Sequence, residues 1–335
     1  MHNNVRNPVL IEPADQPVIA GVLAGDKRAL AKAITLVESS RADHQAQAQA
    51  LLDALLPYTG KSLRVGISGA PGVGKSTFIE ALGLYLISLG HRVAVLAVDP
   101  SSAISGGSIL GDKTRMERLA VSPSAFIRPS PSSGALGGVA EKTREALLVC
   151  EATGFDIVIV ETVGVGQSET AVAGLTDVFV LLQQPNAGDD LQAIKRGIVE
   201  MADIVVINKA DLDPPAAEFA RQQFAGALTL LRARSPYWHP PVLAVSALLA
   251  QGVDHFWTEV ERYRATLDAH DEIEARRRIQ ALDWMWTLID SALRQRFRQH
   301  PQVQNELSAI SSAVAEGEIT PNAAANSLLA HLKNE

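Results

Sequence analysis

Residues 69–76 read GAPGVGKS and match the pattern G-x-x-x-x-G-K-[ST]. A short apolar run precedes the motif, and an amphipathic helical pattern that ends near Gly90 follows it. This context favours a phosphate-binding loop over the alternative, a plain glycine turn, because backbone N–H groups at a helix N-terminus can close around phosphates. Lys75 would add charge at the outer phosphates, and the Ser76 hydroxyl would be placed for Mg²⁺. The predicted phosphate site comprises Gly69, Ala70, Pro71, Gly72, Val73, Gly74, Lys75, Ser76 and Thr77.

Downstream of Leu63 the chain alternates short β-branched runs with helical patterns, which is typical of a parallel sheet with crossover helices. Most of these runs are continuously apolar, as expected for strands that are buried on both faces. The predicted fold class is therefore α/β, a P-loop NTPase with a mostly parallel central sheet flanked by helices. The predicted strands are Leu63–Ser68, Val93–Val98, Ala125–Arg128, Ile157–Val160, Val178–Leu182, Ile204–Ile207 and Val242–Val245.

The sequence predicts three parts. Residues 1–60 form an N-terminal helical extension, residues 61–268 form the P-loop domain, and residues 269–335 form a C-terminal helical arm. The arm is either a helical cap on the sheet or a dimerisation arm, and the sequence leaves both open. The apolar positions at helical spacing in the first part are Leu23, Leu30, Ala33, Ile34 and Val37. The helical segments of the arm are a charged one through Arg276 to Arg298, then Asn305–Glu316 and Pro321–Leu332.

Charge and composition exclude several classes of partner. The 335 residues include 30 basic and 37 acidic side chains, a net charge of −7, which argues against general affinity for a nucleic-acid backbone. Cys150 is the only cysteine, so no internal disulfide and no multi-cysteine metal site can form. The chain lacks a secretory signal and any run of ~20 uncharged apolar residues. We therefore expect a cytoplasmic protein with neither a nucleic-acid nor a membrane partner.

Guanine recognition is predicted from two short segments that follow neighbouring strands. Asn208-Lys209-Ala210-Asp211 follows the sixth strand, and Ser246-Ala247-Leu248 follows the seventh. Asp211 can accept from the N1–H and the amine of guanine, whereas adenine would leave its charge unpaired. Asn208 and Lys209 would brace the loop and cover the base, and a backbone N–H near Ala247 can reach O6. Alone, NKAD could be a solvated turn, but together with the phosphate loop it predicts GTP or GDP as the nucleotide.

Two acidic residues end predicted strands, Asp99 after the second and Glu161 after the fourth. Carboxyl ends of parallel strands meet at the ligand edge of the sheet, where carboxylates bind Mg²⁺ directly or through its waters. Glu161 with Gly164 matches the D-x-x-G switch, with glutamate in place of aspartate. The loop 101–115 would bring Asp112 to the same metal, unless it is an ordinary surface loop. The predicted metal ligands are Ser76, Asp99, Asp112 and Glu161, and the predicted catalytic residues are Lys75, Asp99, Asp112 and Glu161.

A further candidate switch, residues 186–192, leads into a helix that carries Lys195. Its Asp189 and Asp190 could instead simply favour the N-terminus of that helix. No residue stands at a recognised place for an arginine finger or a water-orienting glutamine, and Gln167 is only a weak candidate for the latter. Hydrolysis depends on positioning and charge stabilisation, so we expect slow turnover that waits for a partner.

The segments VDPSS, GGSILGDKTRM, ETVGVGQSE and GDDLQAIKRGI occur in this order between the phosphate loop and NKAD, and together they resemble the MeaB/ArgK family of GTPases. The segment LAGDKRALAKAITLVES, residues 23–39, is similar to the opening of that family, so the resemblance covers most of the chain. It implies a G-protein chaperone that gates cofactor loading of an adenosylcobalamin-dependent acyl-CoA mutase, typically methylmalonyl-CoA mutase, and protects that enzyme. It also implies homodimers formed through the C-terminal helices.

The resemblance assigns roles to individual residues. Ser76, Asp99, Asp112 and Glu161 would surround Mg²⁺, as the residues themselves indicate. By the resemblance alone, Asp189, Asp190 and Lys195 would belong to a third switch that faces the mutase. Asn186 departs from the family, which commonly has glycine at that place.

Two alternatives belong to other classes. A protein kinase for amino-acid-binding proteins is suggested by an older name of the family, but no kinase signature appears in the chain. A nickel-insertion GTPase would share the fold, yet such proteins carry clustered cysteine and histidine. Cys150 stands alone after the apolar Val149, and we expect a buried thiol there.

Overall fold

The computed structural model describes residues 16–99, 116–131, 136–162, 169–185, 196–231 and 233–334. Contacts between residues divide the chain into two compact units, residues 1–276 and 277–335. The division into three parts at residues 60 and 268 stays a prediction.

The core of the first unit is a seven-stranded parallel sheet, which confirms the predicted fold class. Its spatial order is β3-β2-β4-β1-β5-β6-β7. Because every described pair is parallel, the carboxyl ends of the strands meet at one edge, where ligands of such sheets bind. The strands are β1 Leu63–Gly69, β2 Val93–Asp99, β3 Ala125–Pro131, β4 Ile157–Thr162, β5 Val178–Gln183, β6 Ile204–Ile207 and β7 Val242–Ala244.

All seven predicted strands exist, and the largest difference is at the end of β3. The predicted strand ended at Arg128, whereas the strand in the structure continues through Pro129 to Pro131. There β3 is an edge strand that pairs only with β2, so the missing N–H groups of the prolines interrupt no second ladder.

Helices cover both faces of the sheet. On one face, α4 and α10 pack on alternate residues of the strands. Phe256 of α10 and Ile67 of β1 belong to this core. On the other face, α2, α3 and α6 pack on the intervening residues. The helices of the first unit are α1 Gln16–Leu23, α2 Lys27–Glu38, α3 Ala42–Leu55, α4 Lys75–Ser88, α5 Glu117–Ala120, α6 Leu136–Ala152, α7 Glu169–Ala173, α8 Arg196–Met201, α9 Pro214–Thr229 and α10 Val253–Asp268.

The N-terminal helices, whose existence the apolar spacing predicted, pack on α6. Asp26 caps α2 by accepting a hydrogen bond from the backbone N–H of Arg28, and Leu30, Ala33, Ile34 and Val37 are buried. Leu23 ends α1 and is half-exposed instead.

Cys150 lies on α6 within the core formed by the N-terminal layer and is fully buried. This burial raises the pKa of the thiol above its ordinary value. The side chain is therefore a buried thiol, as expected.

The helix α11 Glu272–Gln299 runs across the unit boundary, and α12 Pro301–Ala315 and α13 Pro321–Ala330 follow it in the second unit. The second helix of the arm begins four residues before the predicted Asn305, because Pro301 is suited to the first turn of a helix. Val303, Ala324 and Leu328 are the buried apolar residues of this unit within the described range. No helix in the described ranges is long and apolar enough to cross a membrane.

Candidate functional site

The phosphate-loop motif connects β1 to α4, as the sequence predicted. Gly74 precedes α4 with a left-handed backbone (φ +94°), and Gly72 is also left-handed (φ +79°). A Cβ added at Gly69 would lie 2.4 Å from the Leu182 carbonyl oxygen, and one at Gly74 would lie 2.6 Å from Asn208 Nδ2. Glycine is therefore required at 69 and 74 by close neighbours as well as by backbone conformation at 74.

Lys75 is held by the loop itself. Its Nζ donates to the carbonyl oxygens of Gly69 at 2.8 Å and Ala70 at 3.2 Å, and the residue is buried. The ammonium group therefore lies over the loop whose glycines open toward the ligand edge of the sheet. A phosphate group in that loop would meet this charge without a large movement of the side chain.

Ser76 and Glu161 come together at the same edge. The hydroxyl of Ser76 donates to Oε1 of Glu161 at 3.3 Å, and Glu161 is only 3% exposed. Glu161 stands opposite Ile67 of β1 in the parallel register, so its strand carries it to the phosphate loop. A hydroxyl and a carboxylate are the hard oxygen donors that Mg²⁺ prefers, and these two residues fit such an ion.

A hydrogen bond between two hydroxyl groups, next to Glu161 in the sequence, was missed by sequence reasoning. Thr162 Oγ1 donates to Ser68 Oγ at 3.0 Å, and both residues are buried. It joins the last residue of β4 to the strand that enters the phosphate loop. No sequence motif marks it, because each residue alone reads as an ordinary strand position.

Asp99 is the last residue of β2, and its backbone therefore reaches the same edge as Glu161. Its side chain lies outside the described part of the structure. Other predicted site residues lie wholly outside the described residues: Asp112, Gly164, Gln167, Asn186, Asp189, Asp190 and Lys195.

Asn208 joins the phosphate loop to the loop after β7. Its Nδ2 donates to the Val73 carbonyl oxygen at 2.9 Å, and its Oδ1 accepts from the Ala247 N–H at 3.1 Å. The side chain is 1% exposed, and its backbone N–H donates to the Gln183 carbonyl oxygen at 2.7 Å. Both ends of the amide therefore form hydrogen bonds, and they connect the loop of Asn208 to the phosphate loop and to the loop after β7.

Lys209 reaches across to the phosphate loop from a left-handed backbone (φ +60°). Its Nζ donates to the Gly72 carbonyl oxygen at 2.7 Å and to Gln184 Oε1 at 3.4 Å. Gln184 follows β5 and was not predicted, because no motif marks it. The alkyl chain of Lys209 thus spans the space between the two loops.

Asp211 is half-buried, and its carboxylate makes no hydrogen bond or ion pair with any residue that the structure describes. The next acidic residue, Asp213, is the N-cap of α9, and its side chain accepts a hydrogen bond from the Ala216 N–H at 3.0 Å. Asp211 is therefore available to a ligand, whereas Asp213 is occupied.

The loop after β7 is closed by its own hydrogen bonds. Ser246 and Gln251 exchange backbone N–H···O bonds at 3.0 Å, and Ser246 Oγ accepts from the Leu249 N–H at 3.3 Å. The N–H of Ala247 is used by Asn208, while the N–H of Leu248 bonds to nothing in the described residues. Leu248 itself is 76% exposed.

Taken together, these contacts gather the phosphate loop, residues 208–211 and residues 246–248 at one edge of a parallel sheet. A phosphate loop between β1 and α4, with N-K-x-D directly after β6, defines the class of P-loop GTPases.

Comparison with known proteins agrees with that class. The family model described as "Methylmalonyl Co-A mutase-associated GTPase MeaB" matches residues 30–302. The chain belongs to this MeaB family of GTPases, and it is a GTPase.

Individual relatives are similar over most of the chain. The GTPase ArgK of Escherichia coli K12 is 52% identical over 262 residues, which cover 78% of this chain and 79% of the relative. A mouse protein named methylmalonic aciduria type A homolog, mitochondrial, is 47% identical over 326 residues, 94% of this chain and 78% of the relative. A solved structure titled LAO/AO transport system kinase has a TM-score of 0.78 and 37% identity, and the match covers 97% of this chain and 99% of that one.

Proposed function

We propose that the protein is a GTP-hydrolysing chaperone that gates adenosylcobalamin loading of an adenosylcobalamin-dependent acyl-CoA mutase, methylmalonyl-CoA mutase, and protects that enzyme. The observation that carries this proposal is the match of residues 30–302 to the mutase-associated GTPase family. The name of the mouse relative, a methylmalonic aciduria type A homolog, supports the same client. In this proposal the protein acts in the cytoplasm.

The proposed phosphate chemistry uses Lys75, Ser76 and Glu161. Lys75 exchanges its carbonyl partners Gly69 and Ala70 for the outer phosphates and neutralises charge that develops there. Ser76 and Glu161, 3.3 Å apart, would hold Mg²⁺ together with Asp99 and Asp112. When bound, the ion supplies further neutralisation of the phosphate oxygens. The other residues from Gly69 to Thr77, except Pro71, which has no N–H group, orient the phosphates through their backbone N–H groups.

The proposed base recognition uses Asp211, with Asn208 and Lys209 as its support. The carboxylate of Asp211 accepts from the N1–H and the amine of guanine, and its lack of a partner in the described residues supports this role. The loop Ser246 to Leu248 contributes the N–H of Leu248 to O6, because the N–H of Ala247 is already bonded to Asn208.

We also propose that the protein forms a homodimer through its C-terminal helical arm. On α11 five exposed apolar side chains recur at alternating spacings of three and four residues, which is the pattern of a helix–helix seam. The exposed fraction is 60% for Trp286 and 37% or more for each of the others. The five residues are Ile279, Leu282, Trp286, Ile289 and Leu293. In this proposal residues 1–60, 61–268 and 269–335 act as extension, GTPase domain and dimerisation arm.

The test of the client measures GTP hydrolysis by the purified protein with and without methylmalonyl-CoA mutase, and with ATP as the control nucleotide. We expect slow GTP turnover that rises when the mutase is added, and no such rise with ATP. Turnover that is indifferent to the mutase would contradict the proposed client. Phosphoryl transfer to an amino-acid-binding protein would instead support the kinase alternative.

A further inference from the structure

A cavity of about 380 Å³ lies in the first unit, beside the start of β6. Its volume is within the range of small-molecule sites, about 300–1,000 Å³. Trp238 and Arg234 line it together with apolar residues of α8, α9 and the segment that leads to β7. The apolar lining residues are Val199, Ala202, Leu228, Leu231, Ala233 and Pro240.

The cavity is separate from the nucleotide site. Asp203 lines it and immediately precedes β6, whereas Asn208 immediately follows β6. At about 3.3 Å per residue, the five steps along the chain from Asp203 to Asn208 set these two residues about 16 Å apart. A ligand in the cavity therefore does not occupy the space of the guanine base.

The guanidinium group of Arg234 donates hydrogen bonds from Nη1 but not from Nε or Nη2 within the described residues. Its Nη1 donates to the Met201 carbonyl oxygen at 2.7 Å and lies 3.4 Å from Asp203 Oδ2. Its Nε and Nη2 make no hydrogen bond to any residue in the described part of the chain, and the side chain is 30% exposed. These two N–H groups form the parallel fork that matches the two oxygens of a carboxylate.

Other arginines of this protein show what that fork binds. Several arginines of the described residues, five of which are named below, donate from Nε and Nη2 to an aspartate or glutamate of the same chain. In four of them the two donors take both carboxylate oxygens, and in the fifth they share one. The pairs are Arg41–Asp43, Arg64–Glu151, Arg128–Glu38, Arg221–Glu218 and Arg262–Glu259. Arg234 presents the same fork, and no carboxylate of the described residues is bonded to it.

The charge around Arg234 favours a ligand with a single negative charge. Asp203 is 3% exposed and is already bonded to Arg234, to Arg276 and to the Phe179 N–H. Glu200 also lines the cavity, so a doubly charged phosphate would meet more repulsion than a carboxylate would. The apolar wall suits a hydrocarbon or aromatic body.

We propose that this cavity is a second binding site, for a small carboxylate with an apolar body. The carboxylate lies on the Nε–Nη2 fork of Arg234, and the body packs on the side chains of Leu228, Leu231 and Trp238.

The test titrates the full-length protein with 4-fluorophenylacetate and follows the ligand by ¹⁹F NMR, with 4-fluorophenylacetamide as the neutral isostere. We expect saturable binding of the acid and at least about tenfold weaker binding of the amide, because a charge-assisted fork is lost. Arg234→Gln should weaken binding of the acid by a similar factor. Thr229→Trp should also weaken it, because Thr229 is an exposed lining residue whose enlargement fills the cavity and leaves Arg234 intact.

Arg221→Gln is the matched control, because Arg221 is a surface arginine of α9 outside the cavity lining, and it should bind the acid as the wild type does. If thermal unfolding shows that Arg234→Gln does not fold, binding of the acid by Thr229→Trp tests the proposal instead. The proposal is overturned by any of five results: no saturable binding of the acid at millimolar concentration, equal binding of acid and amide, unchanged binding by folded Arg234→Gln, unchanged binding by folded Thr229→Trp, or displacement of the acid by GDP.

Discussion

The two ends of β6 carry buried polar residues of different kinds. At the start, Asp203 accepts from Arg234, Arg276 and the Phe179 N–H. At the end, Asn208 donates to the Val73 carbonyl oxygen and accepts from the Ala247 N–H. The first centre is charged, and the second is neutral.

The difference follows from what each end has to join. A carboxylate only accepts, so it suits the start of β6, where its neighbours are cations and N–H groups. An amide both donates and accepts, so Asn208 can join a carbonyl group of one loop to an N–H group of another. It also adds no negative charge beside a loop that binds phosphates. The nucleotide end of the strand is thus braced without repelling its ligand.

The largest loss of folding stability is expected from Asp203→Ala. It leaves Arg234 and Arg276 without their shared carboxylate, and removal of one partner from a buried ion pair costs about 3 kcal/mol or more. We expect the free energy of unfolding in urea to fall by that amount. Asp268→Ala, which removes the acid of an exposed pair with Arg264, should change it by less than about 0.5 kcal/mol. Equal effects of the two variants would show that burial of the charged centre does not matter.

The next effect is expected from Asn208→Ala, which leaves a buried carbonyl and a buried N–H unpaired. We expect about 2 kcal/mol of destabilisation and at least about tenfold weaker GDP binding, because two loops of the site lose their common support. Fluorescent GDP titration and urea unfolding measure the two losses. Weakened stability with unchanged GDP affinity would mean that the brace does not shape the site.

A smaller effect on stability is expected from pH, through Tyr263 at the charged end. The Tyr263 hydroxyl donates to the Asp177 carbonyl oxygen at 2.8 Å and accepts from Arg276 at 2.6 Å. Burial, and then the charge of Asp203, raise the pKa of Tyr263 well above its ordinary value of 10.0. The folded state therefore keeps a proton that the unfolded state loses, so this contribution is complete below about pH 10 and declines as the pH rises further.

Urea unfolding at several alkaline pH values checks this sign. The wild type should lose up to about 1.4 kcal/mol per pH unit above pH 10 through this group, and Tyr263→Phe should lack that part of the decline. Tyr58→Phe, at a half-exposed position, is the control and should decline as the wild type does. Parallel profiles for Tyr263→Phe and the wild type would contradict the assignment.

The smallest effect, a change in GDP affinity, is expected from Gln184→Ala. Lys209 then loses a 3.4 Å contact but keeps its 2.7 Å bond to the Gly72 carbonyl oxygen. GDP affinity should change by no more than about threefold, since one long side-chain bond contributes little. A loss as large as that of Asn208→Ala would show that Gln184, and not Asn208, is the main support of the loop.

The nucleotide end could be predicted because its function requires fixed spacing. Gly69 to Ser76 and Asn208 to Asp211 are local motifs, and each follows an apolar run that predicts a buried strand. The residues of each motif are neighbours in the sequence, so the sequence alone indicated both phosphate and guanine recognition. The sheet could be predicted for the same reason, since its strands are continuous apolar runs.

The charged end could not be predicted, because its partners are far apart in sequence. Asp203 meets Arg234 after 31 residues and Arg276 after 73, and no motif relates these positions. Similarly, the bond between Ser68 and Thr162 spans 94 residues and depends on the pairing of β1 with β4. Only the folded chain brings such residues together, through the register of β1 and β4 for Ser68 and Thr162 and through tertiary packing for Asp203 and its two arginines.

The most direct test of the account is a change of base preference by Asp211→Asn. Xanthine carries a carbonyl group where guanine carries its amine, so an asparagine amide can donate to xanthine where the aspartate accepts from guanine. The account predicts that the variant binds GTP about 10- to 100-fold more weakly than the wild type and binds XTP more tightly than the wild type does. Unchanged GTP affinity, or equal weakening for GTP and XTP, would contradict guanine recognition by this carboxylate.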